Sequence, residues 1–178
     1  MLKTDNPLLL VPFRFGGIGL VFNIAAIVVL YLIGRHPLLL NPVLDARIPL
    51  YALIIFASFK TFKDNYSQGI MHFWQGLAMG IVAYLLMAIG TSIFIYGFSA
   101  IESTNFLSEY IRLATGQLVS NREVFIDSIG EKTYDATLAQ LPGTRPVHLA
   151  LDYLLKSTPI GLFLTLLLAI LMRKKISN

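Results

Sequence analysis

No cysteine occurs in this chain. Disulfides, thiolate metal sites, a cysteine nucleophile and an acylated lipoprotein cysteine are therefore excluded. Charge is scarce too. Only 13 % of the 178 residues are charged, about half the share of an ordinary soluble domain. The three histidines, His36, His72 and His148, are scattered, so no clustered metal-ligand set can be read. Gly-x-Ser-x-Gly, His-Glu-x-x-His and the phosphate-binding Gly-x-x-x-x-Gly-Lys-Ser/Thr pattern are missing. Arg14 to Gly19 is glycine-rich but follows no strand, and reads as the entry to a membrane helix.

What is present is apolar. Hydrophobic residues make up 56 % of the chain and the mean hydropathy is +0.69. A fold of this size in water buries only part of its surface and could not hide so much. The formal charge of +4 could suggest nucleic acid, but the bases flank apolar runs. Anionic lipid is the simpler partner, and nucleic acid is not expected.

Four transmembrane helices are expected, over about 15–34, 46–62, 72–98 and 150–172. Phe15 to Gly34 is twenty residues without a charge, bracketed by Arg14 and Arg35. At 1.5 Å per residue that covers about 30 Å, the thickness of the hydrocarbon core. Asn23 is its one strongly polar residue and reads as a helix–helix hydrogen bond. The second span is the shortest, with only Ile48 to Phe59 free of charge. Snorkelling by Arg47, Lys60 and Lys63 would extend it, and a re-entrant or surface helix is the alternative. Lys60 to Gln68 reads as the turn of a helical hairpin. The third span is the clearest, because 37 uncharged residues separate Asp64 from Glu102. Gly76, Gly80 and Ala83 place small residues along one face of it, as a helix-packing surface requires. The last uncharged run, Ser157 to Met172, can begin early at Pro146, which puts Asp152 and Lys156 together as an i,i+4 pair. No Asp, Glu, Lys or Arg lies deep in a span, which disfavours a coupled transporter.

Residues 99–149 form the polar remainder. Leu107, Ile111, Ala114 and Leu118 recur at helical spacing. Ser120 to Glu123 reads as a capping box opening a second helix, and Pro142-Gly143 stops the last one. Two or three short amphipathic helices are expected, lying on the membrane or capping the bundle.

Orientation follows from charge. With four spans, one side holds seven bases (Lys3, Arg14, Lys60, Lys63, Arg173, Lys174, Lys175) in short segments, against Asp5 and Asp64. The other side spreads seven bases among eight acids over a longer stretch. Both ends are expected in the cytoplasm, anchored by Lys60, Lys63, Arg173, Lys174 and Lys175, with 99–149 periplasmic.

The wording around the second turn resembles a known family. Phe59-Lys60-Thr61-Phe62-Lys63-Asp64 precedes Gly69-Ile70, then Phe73, Gln75 and Gly76. An apolar helix, a long amphipathic segment and a final Arg173-Lys174-Lys175 follow. This layout is similar to domain of unknown function 4199, small inner-membrane proteins chiefly of Bacteroidetes. The resemblance implies a four-helix inner-membrane protein and carries over no activity and no catalytic residue.

The expected fold is all-α: an integral membrane bundle with a helical insertion between its third and fourth spans. The expected role is non-enzymatic, without cofactor or metal, as an accessory or structural subunit binding other membrane proteins or itself. The alternatives are an interfacial enzyme or lipid-handling protein using Glu102, Glu109, His148 and Asp152, and an oligomeric channel or small-solute permease.

Overall fold

A computed structural model describes residues 6–40 and 47–173. Seven α-helices follow in order: α1 Pro7–Leu32, α2 Arg47–Tyr66, α3 Phe73–Ala100, α4 Phe106–Ser120, α5 Arg122–Ile129, α6 Glu131–Gln140 and α7 Pro146–Met172. The described residues contain no strand.

Local chemistry sets the ends. The Asn6 side chain accepts from the Leu8 N–H at 3.0 Å and Pro7 takes the first helical position. So α1 starts at Pro7, ahead of the uncharged run that opens at Phe15, and Arg14 sits exposed on its surface. Gly34, at φ +78°, lies just beyond its last turn. α2 runs on through Lys60 and Lys63, and the chain then turns at Gln68 and Gly69, both with positive φ. The expected capping box at Ser120 does not form. Ser120 is the last residue of α4, and the Asn121 amide turns back to donate to the Gln117 carbonyl at 2.9 Å.

Three helices, α1, α3 and α7, are long and apolar enough to cross a membrane. Their outer surfaces carry exposed Val21, Phe22, Leu32, Ile93, Leu155, Phe163 and Leu171. Apolar residues outside and on all sides are what lipid, not water, would select. The protein is thus all-helical with three candidate spans. α2 falls short on the same measure because it carries Arg47, Lys60, Lys63 and Asp64.

α3 lies at the centre. Half of its apolar window is buried, against 22 % for α1 and for α7. It packs against α1, α2 and α7, and α2 packs in turn against α1 and α7. Contacts fix the directions. Gly16 adjoins Ala83 and the Tyr31 hydroxyl donates to the Thr104 carbonyl, so α1 and α3 run the same way. Gly76 adjoins Ala169 and Ser92 Oγ donates to the Ala150 carbonyl at 2.7 Å, so α7 runs back along α3. α2 runs with α7, since Tyr51 sits beside Tyr153 and Lys63 Nζ donates to the Met172 carbonyl at 3.0 Å. A lysine on the last carbonyls of a helix also suits its dipole.

Candidate functional site

Four helices meet at one buried polar junction. Asn23 of α1 has no exposed surface, and its Nδ2 lies 2.8 Å from Thr91 Oγ1 of α3. The same nitrogen lies 2.8 Å from the Tyr153 hydroxyl of α7 and 3.2 Å from the Tyr51 hydroxyl of α2. An amide carries two protons, so it donates to two of these oxygens at a time. The hydrogen bond between the Tyr51 and Tyr153 hydroxyls supplies a partner for the third. Asn23 therefore makes the helix–helix hydrogen bond its sequence setting suggested. Tyr51, Thr91 and Tyr153 were not singled out. Their signal was a hydroxyl placed inside an apolar run, phenolic for the two tyrosines and aliphatic for Thr91, which needs a polar partner once buried.

A cavity of about 300 Å³ opens beside the junction, between α2, the turn after His36 and the first half of α7. Tyr51 and Tyr153 form its inner wall. Arg47 is buried there, its Nη2 donating to the Pro37 carbonyl at 3.0 Å and its guanidinium 5.4 Å from the Tyr153 ring centre. Asp152 and Lys156 border the cavity and pair at 2.7 Å, as their spacing suggested. Apolar surface comes from Leu38, Leu40, Ile48 and Ile160. Tyr110 of α4 stands close by. Burial raises its pKa, the Asp152 carboxylate adds to the rise and Lys156 opposes it, so the phenol stays protonated.

His36 joins this end of α1 to α4. It is buried, with its Nε2 3.2 Å from the Phe106 carbonyl and its Nδ1 3.4 Å from the Leu38 N–H. A ring that accepts at Nδ1 and donates at Nε2 is neutral. Burial accordingly lowers its pKa, against the opposing pull of the Phe106 carbonyl and Glu109. Tyr31, Phe106 and Tyr110 surround the ring.

Gly76 and Gly80 face α7, where a Cβ would crowd Ala169 and Thr165 respectively, and Ala83 abuts Gly16 of α1. That small-residue face is consumed within the chain and is not open to a second protein. Lys60, Lys63 and Arg173 lie at the end of the molecule where α2 and α7 finish. Lys174 and Lys175 fall outside the described residues. Glu102, Glu109, His148 and Asp152 are not brought together. Glu109 pairs with Arg112 at 2.6 Å, which holds its carboxyl below the usual range. His148 Nδ1 accepts from the Arg145 N–H at 3.2 Å, and Asp152 pairs with Lys156. Among the described residues, no three His, Cys, Asp or Glu side chains converge to hold a metal ion.

The sequence matches a family model over residues 14–174. The chain belongs to the DUF4199 family, described as proteins of unknown function. The DUF4199 match spans the polar junction, the cavity and the α4–α6 segment together. No curated protein and no solved structure matches.

Proposed function

We propose that this DUF4199 protein crosses the bacterial inner membrane four times, with both ends cytoplasmic and residues 99–149 periplasmic. It acts there as a non-enzymatic accessory subunit that binds another membrane protein of an envelope complex. The path of α2 supports the fourth span. α2 lies beside α7 from the level of Tyr153 to that of Met172, and its twenty residues extend about 30 Å. Lys60, Lys63 and Arg173 gather at one end, which supports the orientation.

The observation that carries the binding role is the unfinished burial of α5 and α6. α5 buries no residue and α6 buries only Tyr134. Helices of eight and ten residues are below the length of roughly 12–15 that holds in water unaided. They pack on each other, yet Val124 and Ile129 of α5 remain exposed, as does Val119 at the end of α4. A second protein surface would complete this half-built layer. The test is purification of the tagged chain in mild detergent with mass spectrometry of what accompanies it. A stoichiometric membrane protein is expected, lost from the Val124→Asp/Ile129→Asp variant. A wild-type chain that emerges alone, with no cross-linked neighbour in cells, would sink the reading.

A further inference from the structure

We infer that the cavity between α2 and α7 is a binding site for the headgroup of one zwitterionic phospholipid bearing a primary ammonium. The walls grade from charged to apolar along α7. Asp152 and Lys156 border the cavity nearer the start of the helix, and Ile160 lies two turns beyond Asp152, about 12 Å deeper. Leu38, Leu40 and Ile48 add apolar wall at the level of the charged pair, on the turn after α1 and the first turn of α2, so the gradient itself rests on α7. This is the polarity profile of an amphiphile standing in one leaflet, head at the interface and chain toward the midplane.

The charges at the mouth are exchangeable. The Lys156 and Asp152 side chains keep 70 % and 39 % of their exposure, and an ion pair so solvated is held weakly. An ammonium and a phosphodiester can replace each half of it, ammonium on Asp152 and phosphate on Lys156, without leaving either side chain unpaired. An anionic lipid satisfies Lys156 and leaves Asp152 facing phosphate. Arg47, held by the Pro37 carbonyl and the face of Tyr153, shapes the inner wall and need not move. A volume of about 300 Å³ sits at the low end of ligand pockets, room for a headgroup and a few methylenes while the chains remain in the bilayer.

The experiment is native mass spectrometry of the full-length protein in detergent, offered equal phosphatidylethanolamine and phosphatidylglycerol with matched chains. One phosphatidylethanolamine per chain is expected, favoured about fivefold or more, a difference of about 1 kcal/mol. Asp152→Asn, an exposed change that leaves the fold alone, reverses the preference toward phosphatidylglycerol. Lys156→Gln weakens both lipids. Ile160→Trp fills the cavity and removes the adduct, whereas Val21→Trp, on the exposed face of α1, leaves it. Equal retention of the two lipids by the wild type, no retained lipid, or an unchanged preference in Asp152→Asn would each overturn the site. The outcome is independent of whether a partner protein binds α5 and α6.

Discussion

At the residue scale, Asn23 ties the four packed helices together. One amide joins side chains from α2, α3 and α7. Replacing it with leucine leaves the Thr91 hydroxyl short of a partner, while Tyr51 and Tyr153 keep each other. The expected cost is about 1–3 kcal/mol, the penalty of a buried group left unpaired. Thermal unfolding in detergent checks it, and an Asn23→Leu protein as stable as wild type would show the junction to be dispensable. Thr165 makes the opposite case. Its hydroxyl is buried with no hydrogen-bond partner among the described residues. Thr165→Val keeps the shape and removes that hydroxyl, so it is expected to be neutral or stabilising by up to about 1 kcal/mol.

At the element scale, the α3–α7 seam depends on glycine at Gly161. A Cβ there would enter the ring of Tyr84, which is 1 % exposed and hydrogen-bonded to Ser157 and Thr158. Gly161→Ala should cost about 1–3 kcal/mol as overpacking. Gly17, also helical, has open space around it, so Gly17→Ala should gain up to about 1 kcal/mol of helix propensity. Unfolding curves that ranked the two variants the other way would refute the packing of this seam. The α1–α4 joint carries a pH dependence through His36. Its native pKa lies below the unfolded value near 6.5, so the unfolded state binds the proton more readily. The stability it contributes is present above about pH 6.5 and is lost as pH falls through the lower native value. His36→Phe should flatten the fall of melting temperature as pH drops below about 6.5. An equally steep profile in the variant would assign that slope to other groups.

At the scale of the whole molecule, the four packed helices define two ends, and the cysteine-free chain makes them easy to test. Arg35→Cys, Asn65→Cys and Ser128→Cys each create a unique thiol at an exposed position. In spheroplasts, an impermeant maleimide should label the variants at 35 and 128 and spare the one at 65. Labelling at 65 with sparing of the other two would invert the protein in the membrane. Labelling at both 35 and 65 would take α2 out of the bilayer.

The apolar runs by themselves determined an all-helical protein with long membrane-like helices, and Pro, Gly and charge marked where most of them break. These are local properties, legible because a 20-residue apolar helix is a requirement of bilayer thickness. The face of α4 was legible for the same reason, since Ala114 and Leu118 turn inward as their spacing requires. The helix that carries the first apolar run reaches back beyond Arg14 to Pro7, because an exposed arginine can ride on a helix that passes it. Only the tertiary structure decided the junction and the cavity. Asn23 and Tyr153 are 130 positions apart, and no periodicity links them. The small face at Gly76 and Gly80 shows the same division: its spacing marked a close-packed surface, but only the fold could show that α7 fills it. Which surfaces meet depends on how the helices pair in three dimensions, which no single helix encodes.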